Sequence, residues 1–329
     1  MDHEGRFLRL GAVLILGATL FRLLSGAWET VSREQLLAQL LLWQTGYRLE
    51  AVQTAAPEIL PLSPTEPSQP PKKPPQPLQL TAADWERVEL QNGTPCPVDK
   101  TQLTQEPLQW NLQSDQPTVL ILHTHATESY TQTEVYEESS AYRTLDNGYN
   151  MVSVGKELAR CLEAEGILAV HDETTYDYPS YSGAYNRARD AVKAHLEENP
   201  SICLVLDLHR DAMEGTDGRQ LGYTQQTQEG VAAKLMIVCG SDAGGLNYPN
   251  WQENLALGLH FQGVLEGNCP GICRPLSLRT GRYNQDLMAN MLLVEVGAAG
   301  NTRQEALLAV RELARAVADM AQGVETEGQ

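Results

Sequence analysis

Five short apolar runs punctuate the later part of the chain: TVLIL (118–122), ILAVH (167–171), ICLVL (202–206), KLMIVC (234–239) and MLLVEV (291–296). Continuous apolar runs of this length suit strands covered on both faces. Between them apolar residues recur at helical spacing. Met151, Val154, Leu158, Ala159 and Leu162 form one stripe, and Tyr181, Ala184, Tyr185, Ala188, Ala191, Val192 and Leu196 a second. Trp251, Leu255, Leu259 and Val264 form a third, and Ala306, Leu307, Val310, Leu313, Ala314 and Val317 a fourth. Strand–helix alternation predicts an α/β fold, a mostly parallel sheet flanked by helices. Ligands of such sheets bind beyond the carboxyl ends of the strands. The residues that follow each apolar run are therefore where chemistry is expected.

Ahead of residue 80 the pattern changes. Leu10–Phe21 is apolar between Arg9 and Arg22, and Phe7, Leu8, Leu23, Leu24, Ala27 and Trp28 extend it. The twelve-residue core is shorter than the roughly 20 residues a spanning helix wants. Arginines near its ends can snorkel, so residues 1–28 read as a single-pass N-terminal membrane anchor in preference to a cleaved signal peptide or a buried helix. Arg6 and Arg9 favour a cytoplasmic N-terminus, which places the rest of the chain outside the cell membrane. Ser32 and Gln35 give a capping-box pattern before LLAQLLLWQ, predicting a juxtamembrane helix within 29–56. Nine of the 18 prolines fall between Pro57 and Pro77. That composition predicts an extended Pro-rich linker over 57–80, rising about 3.1 Å per residue. Residues 81–116 read as an N-terminal extension of a globular domain over 117–322, and 323–329 as a disordered tail.

Composition narrows the function classes. Acidic residues outnumber basic ones 42 to 24 in a chain of 329, for a formal charge of −18. That balance argues against a nucleic-acid partner, which would meet a basic face. Six cysteines include no C-x-x-C pair, so neither a thiolate zinc site nor a thioredoxin motif is supported. Cys269 and Cys273 bracket CPGIC and form a candidate small disulfide if the domain is extracytoplasmic.

Three strand ends carry unusual polar residues. TVLILHTHATESY presents His123, His125 and Glu128; ICLVLDLHRDA presents Asp207, His209, Arg210 and Asp211; MLLVEVGAAGN carries Glu295 inside an apolar strand. A catalytic zinc takes three protein ligands from histidine and carboxylate and keeps a fourth position for water. A histidine and a glutamate three residues apart on a turn, with a second histidine from a neighbouring strand end, supply that set. A buried glutamate costs several kcal/mol unless paired, which makes Glu295 the sharpest single residue and a candidate proton carrier. HRDAMEGT departs from the kinase catalytic loop at Thr216, GSDAGG lacks the P-loop lysine, and no G-x-S-x-G occurs. His260 reads as a core histidine, while His3, His171 and His195 carry no partner signal.

HTHATESY, DLHRDA, RYNQDL (282–287) and LLVEVGAAGN together resemble the signature segments of the stage II sporulation protein P family. The resemblance spans roughly residues 85 to 322, and the anchor and proline-rich spacer suit it. It implies a fold similar to zinc-dependent N-acetylmuramoyl-L-alanine amidases, with 117–322 as the catalytic domain. It implies a peptidoglycan hydrolase with amidase and endopeptidase activity, Zn2+ as cofactor, and a role in septal wall thinning and engulfment. Its implied partners are a lytic glycan-cleaving enzyme and a multi-spanning scaffold, both membrane proteins. Carried over residue by residue, His125, Glu128 and His209 are the implied zinc ligands and Glu295 the catalytic carboxylate. His123 stands as an alternative first ligand or a group orienting one. Arg210, Asn284 and Gln285 are implied substrate contacts. Two other readings remain at this point: a non-catalytic wall-binding or partner-recruiting module, and a zinc carboxypeptidase.

Overall fold

The computed structural model describes residues 78–105, 112–133, 142–322 and 324–326. The anchor expected over 1–28, the juxtamembrane helix over 29–56 and the proline-rich stretch up to Pro77 lie outside the described residues. No helix among the described residues is long and apolar enough to cross a membrane.

In chain order the elements are β1 (Leu78–Leu80), α1 (Ala82–Glu86), β2 (Leu90–Asn92), α2 (Lys100–Leu103), β3 (Val119–Leu122), α3 (Met151–Ala164), β4 (Ala169–His171), α4 (Ala184–Glu198) and β5 (Leu204–Asp211). There follow β6 (Thr224–Gln226), β7 (Val231–Ala233), β8 (Leu235–Cys239), α5 (Trp251–Asn268), β9 (Leu276–Leu278), β10 (Met291–Ala298), α6 (Arg303–Gln322) and β11 (Val324–Thr326). The main sheet has the order β2-β9-β8-β10-β5-β3-β4. Every pairing in it is parallel except β10 with β8. All five apolar runs are strands of this sheet, and the four helical stripes are α3, α4, α5 and α6, except that Tyr181 lies ahead of α4 and is exposed.

Two differences from the sequence-based expectation concern the ends of the domain. Leu78–Leu80, placed in the linker, and Val324–Thr326, placed in a disordered tail, pair as a parallel two-stranded ladder. Both segments flank packed helices, so the chain holds them at pairing distance although neither carries a strand pattern of its own. The short strands β2 and β9 at the sheet edge also have too few residues for a periodic signal.

Because strand side chains alternate between faces, the sheet divides its residues cleanly. Ile121, Leu206, Leu208, Leu292, Val294 and Ile237 join the core formed with α3, α5 and α6. Leu120, Leu122, Val205 and Met291 point the other way, against Ala188 and Val192 of α4. A small apolar patch of Met236, Val238 and Leu293, backed by Tyr283, continues that second face toward the sheet edge. The functional cluster lies on this second face.

The six cysteines are free thiols, so the candidate Cys269–Cys273 bridge is not formed. The Glu266 carboxylate folds that loop instead, accepting the N–H groups of Gly271 at 2.7 Å and Cys273 at 2.8 Å. His260 is buried in α5, with Nδ1 2.9 Å from the Ala256 carbonyl and its ring edge-on to Trp85, as a core histidine.

Candidate active site

Strand alternation carries Asp207 and His209 onto the face of Val205, and Glu295 onto the face of Met291 and Leu293. The parallel register of β10 on β5 then sets Glu295 opposite His209. Beyond Glu295 the register shifts. Gly297 adopts φ 69° there, and a Cβ on it would lie 2.8 Å from both Ala233 Cβ and Asn301 Oδ1. The Asn301 carboxamide oxygen accepts the N–H groups of Ala298 at 3.0 Å and Tyr223 at 3.1 Å, fastening this bulge. A bulge bends a strand and re-aims its side chains, here just past the buried carboxylate.

The third component arrives on the turn after β3. Asp207 accepts the Thr124 N–H at 2.8 Å and its hydroxyl at 2.6 Å, and Asp177 accepts the Thr127 N–H at 3.2 Å. The Glu128 N–H closes the turn on the His125 carbonyl at 3.1 Å. The turn, pinned by two carboxylates, rotates His125 onto the face of His209; their ring centroids are 5.2 Å apart and nearly perpendicular. Tyr181 stacks on His125 at 4.4 Å, and Tyr185 meets it edge-on at 5.4 Å while lying parallel to His209 at 6.4 Å.

Glu128 Oε2 lies 3.6 Å from His209 Nδ1, and Asp207 Oδ1 lies 3.0 Å from His209 Nε2, close but without hydrogen-bond alignment. Burial opposes the charge on each of these groups, yet the flanking carboxylates raise the His209 pKa well above its ordinary value. Against the same burial, the neighbouring His209 ring and the Arg210 charge hold Glu128 down at about 2. Burial, joined by the His209 charge, lowers His125 to about 4. Burial raises Glu295 to about 8, with His209 opposing and the Glu128 and Asp211 charges adding to the rise.

The cluster leaves hydrogen-bonding capacity unused. His125 Nδ1, His209 Nε2 and Glu295 Oε2 are buried without a hydrogen-bond partner. Buried orphan groups of this kind are rare in folded proteins and suit a bound water or ion. The set is chemically apt for a divalent cation: two imidazoles, and carboxylates whose negative charge favours a cation. Among the described residues no three histidine, cysteine, aspartate or glutamate side chains already form a closed metal-holding group. The residues therefore fit a metal in donor type, while their spacing is more open than a closed coordination shell.

The sequence profile of Stage II sporulation protein P matches residues 56–318. The chain belongs to this family. It is 28% identical over 218 residues to Stage II sporulation protein P of Bacillus subtilis, covering 63% of this chain and 50% of that one. The chain thus spans half the length of the curated relative it matches. Among solved structures it is similar to the N-acetylmuramoyl-L-alanine amidase AmiC2 of Nostoc punctiforme, at 14% identity and a TM-score of 0.35 over 62% of this chain and 94% of that one. It is also similar to the CwlD amidase of Clostridioides difficile in complex with the GerS lipoprotein, at 13% identity and a TM-score of 0.37 over 62% and 96%.

Within this sporulation-protein-P chain, His125, Glu128, His209 and Glu295 lie on one face at one rim of the sheet. His123 does not join them. It continues the face of Ile121, where Nδ1 is 3.2 Å from the Leu208 carbonyl and Nε2 is 2.9 Å from His171 Nε2. The turn after Leu122 is what separates the two histidines. Arg210, expected to contact substrate, is turned inward by the same alternation: Nε donates to the Ser129 carbonyl at 2.9 Å and Nη2 to that of Tyr142 at 2.8 Å. Gln285 is fully buried, donating to the Val238 carbonyl and accepting the Gly240 N–H, each at 2.8 Å. Asn284 donates to the Tyr185 carbonyl at 2.8 Å and accepts from Arg189 at 3.4 Å. These three side chains are occupied in holding the framework, rather than presented to a substrate.

Sequence reasoning missed other members. Tyr181 and Tyr185 sit in one helical apolar stripe of the sequence, so both read as core. Arg143 lies in the long Tyr130–Asn150 insert, where nothing in the local pattern marks it. Its strand-like segment bridges Glu128 to Arg143, and Nη2 donates to Glu128 Oε1 at 3.1 Å. Nη1 reaches Asp177 at 2.7 Å and Thr127 Oγ1 at 3.0 Å, and the guanidinium carbon stands 4.8 Å from the centre of the Tyr181 ring.

Proposed function

We propose that this chain is a zinc-dependent peptidoglycan hydrolase, an N-acetylmuramoyl-L-alanine amidase and endopeptidase that cuts amide bonds of wall stem peptides and cross-links. It would act in septal wall thinning and engulfment, held at the cell membrane by the anchor over residues 1–28. The engulfment partners, a lytic glycan-cleaving enzyme and a multi-spanning scaffold, belong to the same proposal. The observation that carries the reading is the meeting of His125, Glu128, His209 and Glu295 on one sheet face, with buried donors left unpartnered. Family membership supports the substrate class.

His125, Glu128 and His209 would hold the cation. Zinc bound there supplies Lewis acidity, bringing the pKa of the attacking water to about 7. Glu295, on the strand beside His209, takes the proton from that water. As the water oxygen bonds to the scissile carbonyl carbon and the carbon–nitrogen bond breaks, Glu295 passes the proton to the departing nitrogen, which leaves as the amine. Asp207, its Oδ1 3.0 Å from His209 Nε2, sets a negative charge beside the ring. Tyr181 and Tyr185 wall His125 on its face and edge and exclude water from that side.

Purified peptidoglycan digested by the full chain, with zinc and with a chelator, followed by mass spectrometry of the fragments, tests the proposal. Zinc-dependent release of stem peptides with a free L-alanine amine is expected. Glu295→Gln should lower the rate by at least about 100-fold, as loss of a general base does. Wall digestion that survives this substitution removes Glu295 from its role, and digestion indifferent to chelation removes the metal.

A further inference from the structure

Arg279 lies just past β9, whose Leu276 and Leu278 face the main core. Ser277, of opposite parity, pairs with Val238, and Val238 pairs in turn with Leu293. Ser277 and Arg279 therefore share the face of Val238, Leu293 and Glu295. The Arg279 N–H extends the ladder to the Cys239 carbonyl at 2.8 Å. Its Nε donates to Ser277 Oγ at 3.0 Å, which turns the guanidinium back along β9, toward the row that holds Met236 and Glu295. Its charge acts on the Glu295 carboxyl, lowering that pKa in opposition to burial. Met236, Val238 and Leu293 form the floor between the two groups, with Tyr283 packed on it.

Arg279 is in no ion pair among the described residues. Arg143, Arg189, Arg210, Arg274, Arg282 and Arg311 each face a carboxylate. Among the described residues no carboxylate stands within ion-pair distance of Arg279, whose side-chain bond is to the neutral Ser277 and whose charge reaches the buried Glu295 only from farther off. In a chain with 42 acids and 24 bases, an arginine without an acid beside the candidate catalytic face is conspicuous. Guanidinium is matched to carboxylate by its bidentate donor geometry.

We propose that Arg279 receives a free carboxylate of the substrate, so that the site selects anionic peptides. β9 and β10 are two inter-strand steps apart, roughly 10 Å. That span sets the selected carboxylate about one to three residues from the scissile amide. The inference deepens the hydrolase reading above and rests on it for the substrate, but the selectivity is measurable without turnover.

The experiment uses the full chain and two synthetic stem-peptide wall fragments, one with free side carboxylates and one with the same carboxylates amidated. Binding is measured by calorimetry in Glu295→Gln and in Glu295→Gln/Arg279→Ala, and steady-state cleavage in the wild type and Arg279→Ala. Arg279→Ala should weaken binding of the free-carboxylate fragment roughly 10- to 100-fold, leaving the amidated one within about two-fold. In turnover the loss specific to the free-carboxylate fragment should fall on KM, because that contact is made equally in the ground and transition states. Any change in kcat through the Arg279 charge on Glu295 should be the same for both fragments. Arg279→Lys should restore part of the preference, keeping the charge without the fork. Equal losses for both fragments, or none for either, would overturn the assignment. A wild-type chain that binds with this selectivity yet cleaves neither fragment keeps Arg279 and removes the hydrolase reading.

Discussion

Glu128 has its oxygens held from two sides. Arg143 donates to Oε1 at 3.1 Å, while Oε2 accepts the Arg210 N–H at 3.2 Å and faces His209. Arg143 thereby aims one candidate metal donor, and through Tyr181 it also backs the ring of another. Losing such an outer partner commonly costs 10- to 100-fold in metal affinity. Arg143→Ala should weaken zinc binding by about that factor in chelator-competition titrations; unchanged affinity would show that Glu128 needs no such brace. A second residue-scale prediction concerns Asp172, where the loop to Tyr181 begins. It accepts the Thr174 N–H at 2.9 Å, the His195 Nε2 contact at 2.8 Å and the Tyr176 hydroxyl. Burial opposes its ionisation, but these donors lower its pKa from 3.8 to about 2. A folded-state pKa below the unfolded one gives stability that is complete above the unfolded value and fades as pH falls through the folded one. Asp172→Asn should therefore be less stable than the wild type in urea at neutral pH, with the gap closing between pH 3.8 and about 2; a gap constant across that range contradicts the assignment.

At the scale of elements, α3 is set against β3 and β4 by a glycine. A Cβ at Gly155 would collide with His123 and His171, whose paired imidazoles fill the space between helix and sheet. The fit is paired with a hydrogen bond from His123 to the Leu208 carbonyl, one residue before His209. Overpacking a filled core costs typically about 1–3 kcal/mol. Gly155→Ala should cost that much in denaturant unfolding and shift the chemical environment of His209, visible by histidine NMR. A neutral substitution would mean that the helix moves away freely and the pair is loosely packed.

For the molecule as a whole, the candidate site joins elements distant in sequence: a turn after β3, the end of β5 and the end of β10. Such a site exists only in the folded chain. A cation that binds the native but not the unfolded state stabilises by mass action, about 2.7 kcal/mol at one hundred times its Kd. Zinc should raise Tm and a chelator should reverse the rise, with the effect largely removed in His209→Ala. A Tm indifferent to zinc would count against a metal held by these strands.

The alternation of short apolar runs and helical stripes made the α/β class, the parallel core of the sheet and its helices legible, because buried strands and amphipathic helices each impose a period on the chain. Polar residues at strand ends marked His125, Glu128, His209 and Glu295 because charge in an apolar run is costly and stands out. Nothing local distinguished His123 from His125, two residues apart; a turn pinned by Asp207 and Asp177, far along the chain, sends one to each side of the sheet. Arg210 looked available for the same reason, until strand parity turned it inward. Arg143 and Arg279 belong to the neighbourhood only by tertiary contact, and their segments carry no period to betray it, while the helical period around Tyr181 marked it as core. The chain by itself thus determined which residues are chemically unusual, since burial energy writes that pattern along the sequence. Which of them meet was decided only in the folded state, where register, alternation and long-range hydrogen bonds fix directions that one-dimensional spacing does not contain.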